Sequence, residues 1–261
     1  MIKNKRDKYI GKENYNHQGY LMKIISYNTY NDIEVEFAEP YHCVIKTGTG
    51  HFLNGGVVNP YAPTICGVGI VGNKYATYIK DSKKSLKEYG IWCSMLKRCF
   101  DGKYKEKFPT YLDSTCNPIW YYYDNFYEWI HEQANYNVVK NMDYNIDKDI
   151  LFKGNKIYAP EKCIIIPQRV NKLFTKCDAN RGEYPIGVCR DKYRGYYASY
   201  CNDGKGQVHI GNYKDINTAF EKYKEYKEAI IKSVAEEEYL KGTITKECYN
   251  AMIKYQVEIT D

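Results

Sequence analysis

Hydrophobic and polar positions alternate in short runs over the first part of the chain, from about Tyr20 to Gly72. In DIEVEF (32–37) apolar and charged residues alternate, as in a strand with one face in water. LMKIISY and HCVIKTG are similar runs, separated from it by Asn, Gly and Pro. The glycine-dense stretch at 55–73 predicts tight turns or extended backbone. The pattern predicts a small β-barrel or twisted sheet of about 70 residues.

The middle part, from about Ser85 to Phe174, has helical spacing instead. In LKEYGIWCSMLKRCF (86–100) the residues that share one helix face are Tyr89, Trp92, Met95, Leu96 and Cys99. In YYYDNFYEWIHEQ (121–133) they are Tyr122, Phe126 and either Trp129 or Ile130. Amphipathic helices bury such stripes, so we interpret these aromatic residues as core.

The last part, from Gly182 to Asp261, predicts short strands followed by a long helix. The strands fall within 185–201 and 206–213. The helix covers 215–240, with Asp215 or Asn217 as its N-cap. Its apolar stripe contains Phe220, Tyr223, Tyr226 and Ile230. A final short helix is expected after Gly242.

These three patterns of hydrophobic and polar positions predict an α+β protein of three parts. The parts are a β-rich N-terminal module (1–80), a helical region that closes with a ββα finger (85–178), and a three-stranded sheet packed on a helix (182–261). A chain of 261 residues is long for one compact domain, which agrees with such a division.

Composition favours an anionic partner. The net charge is +6 and the pI is near 8.6. The 30 Tyr raise the aromatic content to 16%. Either AT-rich coding or a surface that stacks on bases accounts for this enrichment.

The spacing of the cysteines and the lengths of the apolar runs bear on zinc binding, secretion and membrane insertion. Ten Cys are present without any CxxC pair, so the sequence does not support a zinc ribbon. The first ten residues, MIKNKRDKYI, are polar, and we expect no signal peptide. No apolar run is long enough for a membrane span. We therefore expect free thiols in a reducing cytoplasm and no membrane partner.

Residues 146–174 carry the candidate chemistry. Asp147 ends one short strand, the Gly154-Asn155 turn follows, and a second strand is centred on 163–166. A polar helix start then carries Asn171. Phosphodiester hydrolysis needs a Lewis acid and a base for the attacking water. The oxygen ligands of Asp and Asn suit Mg²⁺ or Mn²⁺.

The stretch from Trp92 to Phe174 resembles the phage-encoded HNH (His-Me finger) homing-type endonucleases. The residues that carry this resemblance are Trp92, Met95, Arg98, Cys99, Phe100, Cys116, Trp120, Phe126, Asp147, Gly154, Asn155, Tyr158, Pro160, Glu161 and Cys163. The resemblance implies a ββα-metal finger in which Asp147 and Asn171 hold one Mg²⁺ or Mn²⁺.

Lys148 is the departure from that family, which has a general-base His after the Asp. An ordinary Lys has a pKa of about 10.4 and is a poor base at neutral pH. It could act as the base only if burial or a neighbouring cation lowered its pKa. Alternatively, it could hold the scissile phosphate as a cation. His131 is the only imidazole in the middle region, and we interpret it as structural.

The last part resembles the APETALA-type (ethylene-response-factor) DNA-binding domain. The matching segments are Gly187-Val188, 195–198, 210–213 and 218–220. The resemblance implies that an exposed sheet face enters the DNA major groove. The implied contact positions are Cys189, Asp191, Ser199, Cys201, Gln207 and His209, and the implied phosphate contacts are Lys192, Arg194 and Lys205. A module that only packs on the rest of the chain is the alternative.

Together these patterns predict a phage DNA-binding protein of the HNH homing-endonuclease type. Two outcomes stay open. The protein nicks or cleaves double-stranded DNA with a divalent metal, or it is an inactive derivative. An inactive derivative would act as a DNA-binding regulator or as an inhibitor of a host defence system. The positive charge argues against inhibition by DNA mimicry. Lys3, Lys5, Arg6 and Lys8 form a basic arm that could add phosphate contacts.

Overall fold

The computed structural model describes residues 8–175, 183–203 and 206–259. The fold is mixed α+β, as predicted. The chain divides into two compact units, one made of Met1–Gly102 and Pro118–Tyr127 and the other of Lys103–Asn117 and Glu128–Asp261. The division into three parts stays a prediction from the hydrophobic and polar pattern of the sequence.

An antiparallel four-stranded sheet of order β1-β2-β3-β4 lies in the first unit. Its strands are β1 (Glu13–Tyr15), β2 (Leu21–Thr29), β3 (Asp32–Phe37) and β4 (Cys43–Thr47). The alternation in the sequence decides which face is buried: Ile33, Val35 and Phe37 are fully buried, while Glu34 and Glu36 lie on the other face. Helix α1 (Thr49–Leu53) adds Phe52 to this core. Of the two predicted forms, the structure has the sheet, with β1 and β4 at its edges.

The glycine-dense stretch at 55–73 forms turns and extended backbone, as predicted. Gly72 has φ +73, a left-handed conformation that favours glycine. A Cβ there would clash with the Asp124 carboxylate. Both the conformation and the close approach therefore require glycine at this position.

Helix α2 (Lys87–Phe100) buries Trp92, Met95 and Leu96, which confirms the predicted stripe. The Trp92 indole N–H donates to the Trp120 carbonyl over 2.7 Å. The short helix α3 (Gly102–Lys107) follows, and then two 3-10 turns (Pro109–Tyr111 and Pro118–Tyr121).

Helix α4 (Tyr123–Glu132) corrects the predicted face of the aromatic segment. Tyr122 is 48% exposed, whereas Tyr123 is fully buried. The backbone on either side of Tyr122 bonds to Ile70: the Ile70 N–H donates to the Tyr121 carbonyl, and the Tyr123 N–H donates to the Ile70 carbonyl. Tyr122 thus lies in the segment bonded to Ile70, before the helix begins, whereas Phe126, Trp129 and Ile130 are buried as predicted.

The second unit contains short elements followed by a long helix. In chain order they are β5 (Thr115–Cys116), α5 (Tyr136–Val139), β6 (Tyr144–Asp147), β7 (Ile157–Tyr158), β8 (Ile164–Pro167), α6 (Gln168–Phe174), β9 (Val188–Arg190), β10 (Tyr197–Asn202), β11 (Gln207–Tyr213), α7 (Ile216–Leu240) and α8 (Lys246–Ile253). Strands β5 and β7 pair in parallel, and β6 and β8 pair antiparallel. The three-stranded antiparallel sheet has the order β11-β10-β9.

Helix α7 has Asp215 as its N-cap, since the carboxylate accepts from the Thr218 N–H over 2.9 Å. The buried side of this helix includes Phe220, Tyr223 and Ile231, whereas Tyr226 and Ile230 of the predicted stripe are only half-buried. Lys227 is also buried, and burial lowers the pKa of its ammonium. A charged residue on the buried side explains why apolar spacing alone misplaced the stripe.

Two findings concern membrane spans and cysteines in the part of the chain that the structure describes. None of its helices is both long enough and apolar enough to span a membrane. Its nine cysteines are free thiols, and Cys177 lies outside the described residues.

The buried amide of Asn135 predicts a large effect on stability. Its Nδ2 donates to the carbonyls of Ile165 (3.0 Å) and Thr243 (2.7 Å), which joins β8 to the segment before α8. Asn135→Ala leaves both buried carbonyls without this donor and should lower the free energy of unfolding by about 1–3 kcal/mol. Urea unfolding measures the loss. The exposed Asn137→Ala is the control and should stay within about 0.5 kcal/mol of the native protein. Equal effects of the two substitutions would contradict the assignment.

Candidate functional site

The segment from β6 to α6 has the predicted order of strand, turn, strand and helix. Asp147 ends β6 opposite Ile164, the first residue of β8. Gly154 has φ +79 within the connection, as a tight turn requires. Helix α6 begins directly after Pro167 and packs against both strands. We call this β6-β8-α6 segment (144–174) the finger.

The Asp147 carboxylate is engaged with its own backbone. Its Oδ1 accepts the N–H groups of Asp149 (2.8 Å) and Ile150 (2.7 Å), which turns the chain at the strand end. Burial raises the pKa of Asp147, although the two N–H donors and the nearby Lys148 ammonium act in the opposite direction. Asp147 therefore has a local structural role that does not depend on a metal.

Lys148 closes the loop that follows. Its Nζ donates to Asp149 Oδ2 and to the Asn155 carbonyl, each over 2.7 Å. In return, Asn155 Nδ2 donates to the Lys148 carbonyl over 2.9 Å. The Lys148 side chain is only 8% exposed. Lys148 and Asn155 thus form a reciprocal clamp across the loop, which we call the Lys148 clamp.

Neither predicted catalytic role of Lys148 gains support from this geometry. A general base needs a free lone pair, whereas this amine donates to a carboxylate and a carbonyl. A phosphate contact needs an accessible ammonium, and this one points into its own loop. The His131 ring lies against Tyr136 with 4.1 Å between the ring centroids, which agrees with a structural role.

The residues around Asp147 do not fit a divalent ion well. Asn171 lies in the middle of α6 and is half-buried. The Lys148 ammonium, however, already neutralises Asp149 beside Asp147 and would repel a second cation there. Within 8–175, 183–203 and 206–259, no three His, Cys, Asp or Glu side chains are grouped as metal ligands. The Mg²⁺ or Mn²⁺ ion stays a prediction of the family resemblance, and we derive no step through it.

Two thiols, Cys163 within the finger and Cys248 packed beside it, have low reactivity. Burial raises the pKa of Cys163 and of Cys248 to about 12, and the Asp147 carboxylate adds to this effect. Both are therefore protonated thiols at neutral pH, which makes them poor nucleophiles and poor metal ligands.

The β9-β10-β11 sheet has one buried face and one outer face. Ser199 Oγ donates to the Ala219 carbonyl of α7, so Ser199 faces the helix. Because side chains alternate along a strand, Cys201 faces the helix too, and both residues are buried. They cannot contact DNA from the outer face, which corrects their predicted role.

The outer face carries neutral hydrogen-bonding side chains. Gln207 pairs with Asn202, and His209 pairs with Tyr200, whose ring centroid lies 5.0 Å from the imidazole. His209 Nε2 lies 3.0 Å from Asn212 Oδ1. Gln207, His209 and Asn212 are all exposed. Cys189 is exposed on the same face, opposite Ala198.

The turn between β9 and β10 carries the predicted cations Lys192 and Arg194, and both are exposed. Asp191 serves the turn itself, because its Oδ1 accepts the N–H groups of Tyr193 (2.8 Å) and Arg194 (2.9 Å). These two bonds lower the pKa of Asp191, the Arg194 N–H first. The predicted cations that lie outside the described residues are Lys205 and, in the basic arm, Lys3, Lys5 and Arg6. Lys8 is described and lies over the Tyr9 ring, 5.3 Å from its centroid.

Sequence patterns alone missed three residues of these surfaces. Asn155 is predicted as a turn residue and as part of the HNH resemblance, but its contact with Lys148 was not predicted, and its carbonyl and amide complete the Lys148 clamp. Asn212 belongs to the outer face beside His209. Tyr193 is 99% exposed at the tip of the β9-β10 turn. Its position between two cations was the available signal.

Comparison with known proteins adds no assignment. No family model matches the chain, and neither a curated protein nor a solved structure matches it. The two family resemblances therefore stay predictions, and function must be argued from the residues themselves.

Asp147→Asn separates a structural role from a metal-ligand role. The amide oxygen of Asn can still accept both N–H groups, while the buried charge is removed. Since burial raises the pKa of Asp147 in the folded protein, the penalty on its carboxylate is present at neutral pH and fades as pH falls through that pKa. Asp147→Asn should therefore equal or exceed the native stability at neutral pH, and the difference should shrink in acid.

Asp147→Ala is the matched variant, because it offers no acceptor to the two N–H groups and should cost about 1–3 kcal/mol. Urea unfolding at neutral and acid pH measures both variants. If Asp147→Asn were as damaging as Asp147→Ala, the structural role would be wrong.

Proposed function

We propose that this protein binds double-stranded DNA through the outer face of the β9-β10-β11 sheet. In this proposal it is a phage DNA-binding regulator built on a scaffold of the HNH homing-endonuclease type. The observation that carries the proposal is the outer face itself, where Gln207, His209 and Asn212 are exposed on one strand. The cations Lys192 and Arg194 stand at the adjoining turn.

The neutral polar residues suit the base edges of DNA, and the cations suit its phosphates. Amide and imidazole groups can both donate and accept hydrogen bonds, as base edges in the major groove require. Cations at the rim suit phosphates, which position a protein without reading sequence. The face is neutral and the rim is basic, so we expect base contacts from β11 and phosphate contacts from the turn. The net charge of +6 favours the same partner.

The finger has a supporting role in this proposal. The Lys148 clamp uses the residue that would follow the metal-ligand Asp in an active enzyme. An ammonium held in that position supplies neither a base nor space for a divalent ion. We therefore assign the finger to folding rather than to hydrolysis.

Binding to a short duplex over a salt series tests the DNA interface. Fluorescence anisotropy should show log K falling linearly with log salt, because phosphate contacts release counterions. The double variant Lys192→Ala/Arg194→Ala should bind more weakly on any sequence, with a slope shallower by about 0.9 for each phosphate that is no longer neutralised. The control Lys23→Ala/Lys46→Ala removes two exposed cations of the first unit and should change the slope little.

If the slope became shallower by the same amount in both double variants, the assignment of phosphate contacts to Lys192 and Arg194 would be wrong. Failure of the native protein to bind DNA at any salt, together with capture of a host protein, would replace DNA by a protein partner.

Nicking of supercoiled plasmid tests the supporting role of the finger. With Mg²⁺ or Mn²⁺ added, we expect no conversion to open circles above background, since the Lys148 amine donates to Asp149 and Asn155 and is not available as a base. Gel electrophoresis over a time course makes the measurement. Metal-dependent nicking that disappears in Asp147→Ala would restore the nuclease function.

A further inference from the structure

The side chain of Tyr193 does not contribute to the packing of the described part of the chain. Its side chain is 99% exposed, more than that of any other large hydrophobic residue in the described part of the chain. Single exposed aromatic residues are common on protein surfaces, so exposure alone says little. The position of Tyr193 is what makes it informative.

The backbone beneath Tyr193 is held firmly. Asp191 Oδ1 accepts the N–H of Tyr193 and the N–H of Arg194. The Gly195 N–H donates to the Asp191 carbonyl over 3.2 Å, and the Asp191 N–H donates to the Tyr196 carbonyl over 2.9 Å. The turn is therefore internally bonded, and it presents the ring in a defined place instead of on a loose loop.

Charge surrounds the ring on both sides along the chain. Lys192 precedes it, Arg194 follows it, and both side chains are exposed. Arg190 adds a third cation at the end of β9, where its guanidinium lies over the Tyr197 ring. An aromatic ring between cations is the arrangement with which proteins stack a base while they hold the neighbouring phosphates.

We propose that Tyr193 stacks on an unpaired or unstacked base in DNA bound by the sheet. The inference rests on the proposed function and adds to it a preference for distorted duplexes. Bases inside an intact duplex already have both faces covered. A ring at the end of a rigid turn can therefore stack only where a base is unpaired or where a flexible step opens.

A pair of duplexes of equal length tests this preference. One is continuous, and the other carries a single unpaired 2-aminopurine, whose fluorescence reports stacking. The native protein should bind the bulged duplex more tightly and change its fluorescence. Tyr193→Ala should weaken binding to the bulged duplex by about 5- to 150-fold. It should leave binding to the continuous duplex nearly unchanged.

Two further variants test whether the aromatic ring of Tyr193 causes the preference for the bulged duplex. Tyr193→Phe keeps the ring and should retain both the affinity and the fluorescence change. Tyr15→Ala removes another exposed tyrosine, 64% exposed on β1, and should behave like the native protein. Since no described residue covers the Tyr193 ring, all these variants should fold, and matched unfolding curves verify this.

Each contrary result has a distinct meaning. Equal binding of the bulged duplex by native protein and Tyr193→Ala overturns the stacking role but leaves the proposed function intact. Equal weakening on both duplexes also overturns it, because the ring would then contact the intact groove. Absence of binding to either duplex overturns the proposed function and this inference together.

Discussion

Helix α7 is the element on which the second unit depends. Its 25 residues span about 37 Å, at a rise of about 1.5 Å per residue. The first half packs Phe220 and Tyr223 against the three-stranded sheet, and the second half packs Ile231 and Val234 against the finger. The core of the sheet and the core of the finger both include residues of this helix. This one helix therefore fixes the distance between the outer face of the sheet and the Lys148 clamp.

A group of ion pairs connects the finger to helix α7. Arg169 of α6 donates two hydrogen bonds of 2.7 Å to the Glu237 carboxylate and a third, of 2.9 Å, to Glu238. The Glu238 side chain is only 3% exposed, and Lys241 and Thr243 complete its contacts. A buried carboxylate is tolerable only when it is paired and hydrogen-bonded in this way. The same bonds explain why the pKa of Glu237 falls to about 2, with Arg169 as the first cause.

The finger and the sheet then differ in what they offer to a partner. In the finger, charged groups satisfy one another within the loop, as Lys148 does with Asp149 and Asn155. In the sheet, the polar groups of β11 and the cations of the adjoining turn face solvent. Groups that are already paired contribute to stability, whereas exposed groups remain available for binding. This contrast is the physical basis for placing the DNA interface on the sheet.

Much of the local structure could be predicted from the sequence. Alternation in DIEVEF predicted a strand with one buried face, the stripe of Trp92, Met95 and Leu96 predicted α2, and Asp215 was one of two predicted N-caps. The candidate site was predicted only in outline. Its strand, turn, strand and helix are present, but the partners of Lys148 could not be inferred from residue types.

The sequence by itself determined local periodicity, because the spacing of apolar residues depends only on neighbours along the chain. The tertiary structure decided which face each residue joins and which polar groups meet. Ser199 and Cys201 were expected at a DNA surface, and their packing against α7 places them inside. Asn135 bonds to Thr243 across 108 positions, a contact that no local pattern encodes. The role of Lys148 was likewise decided by hydrogen bonds that form only when the loop closes.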